Sequence, residues 1–249
     1  MSGHSKWATI KRKKAATDQA RGKMFSKYIK EITIAARHGG GDLEANPRLR
    51  TAVSAAKAVN MPANNIERAI KRGTGEVEGV TYEEAQYEGY APGGVAILVE
   101  IATDNRNRTA GDIRHILTKH GGNMAEAGSV SYLFKPRGVL VVERTAIAED
   151  ALIELALEAG AEDVQPGPEH FEVLTAPQHF EAVKEALAAK NVPTTSAEIT
   201  KVASVEVPLT EREAEAVLRL VDALEDHDDV QRVHANFTVA DDVMTRLAR

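Results

Sequence analysis

The sequence predicts an α+β fold: a helical N-terminal segment followed by two α+β units, the second inserted into the first. Three observations point to it. Through residue 75 there are sixteen Lys and Arg against five Asp and Glu, a formal charge of +11, so the remainder must carry −17 within a total of −6. The apolar period changes from helical to alternating after a turn-rich stretch at 73–80. Beyond that stretch, two sets of elements each run strand, helix, strand, strand, helix, strand.

A chain of 249 residues, 43% hydrophobic and 27% charged, has surface enough to bury in two or three small domains and is not composed like a disordered protein. Aromatic residues make up 4% of it, which argues against rows of stacked bases as the source of any nucleic-acid affinity. The absence of cysteine excludes disulfides, thiolate zinc sites and cysteine nucleophiles. The longest apolar run, 95–102, is interrupted by Glu100 and falls far short of a bilayer span. The basic N-terminus has no apolar core behind it, unlike a secretory signal, so the expected location is the cytoplasm, with no membrane partner.

Residues 2–22 carry Trp7 and Ile10 as their only large apolar side chains, among Lys6, the run Lys11-Arg12-Lys13-Lys14 and Arg21. Contiguous cations repel one another and little apolar surface holds them down, so the segment reads as an arm that orders on a polyanionic partner. Residues 24–38 form an amphipathic helix. At about 100° per residue, Phe25, Tyr28, Ile29, Ile32, Ala35 and Ala36 share one side, while Lys23, Lys27, Lys30 and Arg37 share the other, Ile34 being the exception. The basic face is expected to point outward, toward phosphates. His38 and Gly39-Gly40-Gly41 stop the helix.

Asn46 as cap and Pro47 as first residue open a second helix, with Leu49, Val53, Ala56 and Val59 on one face, and Asn60-Met61-Pro62 breaks it. A third runs over 63–72, with Ile66, Ala69 and Ile70 inward and Gly73 as the stop. Its closing cations, Lys71 and Arg72, suit the negative end of a helix as well as they suit a phosphate. Two short helices across a three-residue turn also have the outline of a helix-turn-helix. Asn64, Asn65 and Arg68 then stand at the front of the reading helix, where Asn can pair with adenine and Arg with guanine.

The strands begin at 86–90 and 95–102, a hairpin around Ala91-Pro92-Gly93-Gly94 with Val95, Ile97, Val99 and Ile101 on one face. A helix over 106–120 buries Ile113, Ile116 and Leu117, and a strand is expected at 129–134. Segments 138–143, 149–159, 163–165, 171–174, 178–190 and 198–202 then give β-α-β-β-α-β, the order of a ferredoxin-like unit. A strand at 205–209, a helix opened by the capping box Thr210-Glu211-Arg212-Glu213, and a final strand at 230–239 complete a second such set, preceded by one extra strand. The expected domains are a basic helical domain at 1–76, a split α+β domain at 77–135 plus 205–249, and an inserted acidic α+β domain at 136–204. From residue 137 to 204 the insert holds five cations and twelve carboxylates, a surface for a protein partner or for solubility rather than for phosphates.

Arg106 and Arg108 fall at the start of a helix, where the dipole disfavours cations and open N–H groups favour anions. A bound phosphate would suit the pair; the alternatives are water, or Asp104 and Asp112. Catalytic signatures are missing. No two of the eight histidines have the spacing of a helical metal site, and His227-Asp228-Asp229 follows a helix where polar residues are expected anyway. There is no nucleophile elbow and no Walker loop, and Gly73-Thr74-Gly75 with Gly79 misses the dinucleotide fingerprint. No catalytic residue, no metal site and no cofactor is expected.

Gly3-His4-Ser5-Lys6-Trp7, the Lys/Arg run, Phe25-Ser26-Lys27, Gly39-Gly40-Gly41-Asp42, Asn60-Met61-Pro62 and Ile66-Glu67-Arg68-Ala69-Ile70 leading into Gly73-Thr74-Gly75 together resemble the YebC family. The likeness continues through Tyr87-Glu88-Gly89-Tyr90-Ala91-Pro92-Gly93-Gly94 and Thr103-Asp104-Asn105-Arg106-Asn107-Arg108-Thr109, so it covers essentially the whole chain. It implies a non-enzymatic, nucleic-acid-binding regulator of gene expression, since members are conventionally classed as probable DNA-binding transcriptional regulators. It also allows a ribosome-associated translation factor that binds ribosomal RNA: mitochondrial relatives act as translational activators, and bacterial ones are linked to ribosomes stalled on proline-rich sequences. The charge split bears on the choice, because a body of −17 is repelled by a long duplex while a basic head can enter an RNA-lined crevice. For either partner, the expected contact residues are Lys6, Lys11, Arg12, Lys13, Lys14, Arg21, Lys23, Lys27, Lys30, Arg37, Asn64, Asn65, Arg68, Lys71, Arg72, Arg106 and Arg108.

Overall fold

In the computed structural model, which describes residues 18–247, helix α1 runs over Asp18–Gly39, beginning earlier than its apolar period suggests. Helices α2 (Pro47–Ala58) and α3 (Ala63–Gly73) pack beside it, and Ile32, Ala35, Ala36, Leu49, Val53, Ala56, Met61, Ile66 and Ala69 form their shared core. Asn46 shows why α2 starts where it does. Its Oδ1 accepts the Leu49 N–H at 3.0 Å, while its Nδ2 donates to Ala35 O at 2.9 Å and Gly40 O at 2.8 Å. One buried side chain thus caps α2 and satisfies carbonyls at the end of α1. Gly73 lets α3 lie close to α1, because a Cβ there would overlap the Thr33 carbonyl oxygen and sit 2.7 Å from Ala36 Cβ.

These helices belong to the first of two units, which comprises residues 18–129 and 216–233. Its sheet has the order β3-β1-β2-β9, from β1 (Glu83–Ala91), β2 (Val95–Thr103), β3 (Asn123–Ala125) and β9 (Val230–Ala235). The β1–β2 hairpin turns at Pro92–Gly94, where Gly93 and Gly94 take φ of 78° and 75°, conformations closed to most side chains. Along β2, Ala96, Leu98 and Ala102 are buried as fully as Val95, Ile97, Val99 and Ile101, so the strand is covered on both faces rather than one. Helix α4 (Arg106–Lys119) buries Thr109, Ile113 and Leu117.

Four strand expectations need correction. The strand expected at 129–134 is absent: β3 lies earlier, and Ser131–Leu133 is a turn of 3-10 helix leading into β4. The strand expected at 205–209 shrinks to β8 (Val207–Pro208), which pairs in parallel with β10 (Phe237–Thr238) and not with the four-stranded sheet. In that sheet the place is filled by β1, antiparallel to both β2 and β3, so the strand read as extra is a central one. The long strand expected at 230–239 is broken at Asn236, whose Nδ2 donates to Val205 O and whose carbonyl accepts the Val207 N–H.

The second unit comprises residues 130–215 and 234–247. Its sheet order, β5-β6-β4-β7, is the antiparallel ferredoxin-like arrangement expected from the element order, built from β4 (Phe134–Glu143), β5 (Ala161–Pro166), β6 (His170–Thr175) and β7 (Thr194–Ala203). Helices α5 (Glu149–Glu158) and α6 (Phe180–Ala189) supply Leu152, Ala156, Val183 and Leu187 to a core with Leu140, Val142, Phe171 and Val173. At about 1.5–3 kcal/mol for each large apolar side chain removed from water, this core is the main stabilising contribution of the unit. Strand β4 runs through Pro136 where it pairs with β7 alone, since pairing with β6 begins only at Gly138; proline is tolerated at such one-sided positions. Helix α7 (Glu211–Glu225) opens with the reciprocal cap expected of it, the Thr210 N–H bonding Glu213 Oε2 at 3.0 Å and the Glu213 N–H bonding Thr210 Oγ1 at 3.5 Å. Helix α8 (Asp241–Leu247) follows β10.

Candidate nucleic-acid interface

Three of the four cations on the basic side of α1 are tied to groups of the chain itself, and only Arg37 is left exposed. Lys27 Nζ donates to Glu225 O at 2.8 Å, Lys23 Nζ donates to Asp226 O at 3.2 Å and pairs with its carboxylate at 3.1 Å, and Lys30 Nζ donates to Asp228 O at 2.8 Å. Spaced by four and three residues, these lysines form a ladder on one helix face that meets the carbonyl-rich C-terminal end of α7, the end a cation stabilises. The expectation that this face points outward is thus corrected. It is clearest for Lys30, only 8% exposed and therefore closed to a phosphate.

Lys30 is held in a buried polar cluster. Its ammonium lies 2.7 Å from Asp229 Oδ1 and 3.2 Å from Ala102 O, and Asp229 Oδ2 accepts from Thr109 Oγ1 at 2.7 Å, Thr103 Oγ1 at 3.0 Å and Arg108 Nη2 at 3.1 Å. Burial by itself would raise the Asp229 carboxyl, but the hydrogen bonds from Lys30, Thr109 and Arg108 outweigh it and hold the group well below the usual carboxylate range. His227-Asp228-Asp229 is accounted for by the same cluster. The Asp229 N–H donates to His227 Nδ1, and His227 Nε2 lies 3.3 Å from Asp112.

Arg108 is likewise committed. Its guanidinium bonds Asp104 at 2.6 Å as well as Asp229, and both carboxylates push its pKa up. Asn105 caps α4 by accepting the Arg108 N–H, so one of the N–H groups expected to meet an anion is already taken. Arg106 and Arg108 are both exposed at the helix start, but of the expected phosphate pair Arg108 is already held by two carboxylates.

The other expected residues divide by exposure. Lys6 and Lys11, Arg12, Lys13 and Lys14 lie outside the described residues, as does the side chain of Arg21. Asn64, Asn65 and Arg68 line the exposed side of the first turns of α3, and Lys71 bonds Glu67 at 2.7 Å, which raises the lysine and lowers the carboxyl. Arg37 is exposed at the end of α1. With Arg72, Thr33, Gly73, Gly79 and Tyr82 it lines a cleft of about 500 Å³. Arg72 Nε is buried there without a hydrogen-bond partner among the described residues, and the side chain packs against Gly79. A cleft with two guanidinium groups, one with an unmet N–H, is chemically suited to an anionic oxygen such as that of a phosphate.

Asp229 and Arg48 were not anticipated. Arg48 forks between Glu31, at 2.9 Å, and Glu84, at 2.6 Å, joining α2 to α1 and to β1, and both carboxylates raise its pKa. Neither set has a local sequence signal, since the partners of Asp229 lie as far away as Lys30.

Family models described as the TACO1/YebC protein N-terminal domain and the TACO1/YebC second and third domain match residues 5–76 and 82–237. A "probable transcriptional regulatory protein" of Desulfatibacillum aliphaticivorans is 57% identical over 98% of this chain and 99% of its own length. One of the same name from Dictyoglomus turgidum is 55% identical over the whole of both chains. The crystal structure of a conserved hypothetical protein from Aquifex aeolicus superposes with a TM-score of 0.80 at 52% identity, covering 90% of this chain and 93% of that one.

Proposed function

We propose that this chain, which belongs to the TACO1/YebC family, is a non-enzymatic, nucleic-acid-binding regulator of gene expression acting in the cytoplasm. The observation that carries the reading is the charge split, +11 through residue 75 against −17 beyond it, which concentrates attraction for a polyanion at one end of the chain. The names its relatives carry support a regulatory role. In this reading, residues 1–76 are the binding domain. Lys6, Lys11, Arg12, Lys13, Lys14 and Arg21 neutralise phosphates, and Arg37 and Arg72 take a phosphate oxygen at their cleft. Asn64, Asn65, Arg68 and Lys71 meet the adjoining strand, and the acidic insert at 136–204 turns toward a protein partner. Lys23 and Lys27 position α1, and Lys30 has no part in the contact.

A second reading, a translation factor on ribosomal RNA, is favoured by one observation. The acidic remainder is repelled along a duplex that extends past the head, and less so if the head alone enters an RNA crevice.

The test is the salt dependence of binding. With six to ten phosphates contacted, affinity falls by about 10³ to 10⁵ between 50 and 200 mM salt. Replacing Lys11, Arg12, Lys13 and Lys14 by Glu abolishes binding and leaves the thermal unfolding of the remainder unchanged. A flat salt response would sink the proposal. Crosslinking in cells, followed by sequencing of the attached nucleic acid, separates the two readings: discrete promoter sites mark the first, and ribosomal RNA contacts clustered at one functional centre mark the second.

A further inference from the structure

Helix α4 is a basic element in an acidic stretch of chain. Over Arg106–Lys119 it carries Arg106, Arg108, Arg114 and Lys119 against a single carboxylate, Asp112, although residues 76–249 sum to −17. Thr109, Ile113 and Leu117 are its buried stripe. On the opposite side Asn107, Gly111, Arg114, His115, Thr118 and Lys119 are all exposed. At about 100° per residue, Gly111 falls near the middle of that outward face, with Arg114 to one side and His115 and Lys119 to the other.

No steric contact within the chain requires Gly111 to be glycine. It sits inside a regular helix, where glycine is unfavourable relative to alanine, and a Cβ there would meet nothing within 4 Å. This differs from Gly73, where a Cβ would overlap α1. Glycine on an exposed helix face, with cations on both flanks, leaves bare backbone for a close approach by something negatively charged.

We propose that the outward face of α4 is a second nucleic-acid contact, distinct from the head, which takes the sugar–phosphate backbone with Gly111 at the point of closest approach and Arg114 and Lys119 on flanking phosphates. The proposal rests on the nucleic-acid-binding reading above and adds a surface to it. It also gives the acidic remainder a way to lie near a polyanion: α4 offsets the repulsion locally.

The experiment compares the full chain with Gly111→Ala, Gly111→Gln and Arg114→Ala/Lys119→Ala, each titrated with duplex DNA and, separately, with a structured ribosomal RNA fragment across a salt series. Gly111→Ala raises the thermal midpoint by about 2–4 °C, because it adds helix propensity without a clash. Gly111→Gln, also a good helix former, keeps the fold and weakens binding by tenfold or more. The double alanine variant lowers the slope of log affinity against log salt by about 1.8, the value for two lost phosphate contacts on a duplex. Loss with only one of the two probes identifies which nucleic acid α4 meets. Unchanged affinity and slope for Gly111→Gln and the double variant, with wild-type binding intact, overturns this inference and leaves the head as the binding surface. A wild-type chain that binds neither probe overturns the nucleic-acid reading, and this one with it.

Discussion

Replacing Lys30 with Met should cost more stability than any other lysine substitution in α1. The change keeps the length of the side chain and removes three hydrogen bonds, to Asp229 Oδ1 at 2.7 Å, Asp228 O at 2.8 Å and Ala102 O at 3.2 Å. Removing one partner of a buried ion pair costs about 3–5 kcal/mol, chiefly because the other charge is left uncompensated. Asp229 retains Thr103, Thr109 and Arg108, which places the loss toward the lower end, about 3 kcal/mol. For a chain of this size that is a fall of about 6–12 °C in the thermal midpoint. Urea unfolding followed by circular dichroism should show a lower midpoint with an unchanged slope. Pairing Lys30→Met with Asp229→Asn should cost less than the sum of the two single changes. The acid limb provides a second check. The Asp229 carboxyl is held below its unfolded value, so its contribution is complete above about pH 4 and drains away as pH falls through the folded value. Asp229→Asn should remove that part of the pH dependence. A Lys30→Met loss below about 1 kcal/mol, or additive single changes, would refute the view that this cluster holds α1 in place.

Other outcomes follow from the same geometry. Asn46→Ala removes the α2 cap and leaves Ala35 O and Gly40 O without their donor, so thermal unfolding should show a loss of about 2–3 kcal/mol. Asn46→Asp keeps the cap acceptor alone and should recover only part of it. Gly73→Ala forces α1 and α3 apart at Thr33 O and Ala36 and should cost about 1–3 kcal/mol, in contrast to the gain at Gly111.

Much of the fold was legible because its signals are local. Asn46-Pro47, Gly93-Gly94 and Thr210 with Glu213 each carry a capping or turn chemistry that acts over a few residues, and each acts as the sequence suggests. Strand β3 was missed because three residues are too few to show alternation, and Asn236 because its partners lie about thirty positions upstream. The placement of β1 at the centre of its sheet depends on pairing with β3, which no local pattern encodes. The candidate site followed the same rule. A helical period separates the lysines of α1 from its apolar residues, yet it cannot say whether the polar side meets water or the end of another helix. Exposure, which sets Asn64, Asn65 and Arg68 apart from Lys30, is a property of the folded chain.

The lysine ladder of α1 also has a consequence in time. Its acceptors at residues 225–229 leave the ribosome about two hundred residues after the ladder itself, which at about 5–20 residues per second is a delay of roughly 10–40 s. Helices α1, α2 and α3 share a core drawn entirely from residues already made, so the bundle can close early while Lys23, Lys27 and Lys30 still lack their carbonyls. During synthesis, then, the young chain carries three more uncommitted cations than the finished one. A product truncated before residue 225 would keep them permanently, and should cling to nucleic acid more tightly and less selectively than the mature protein.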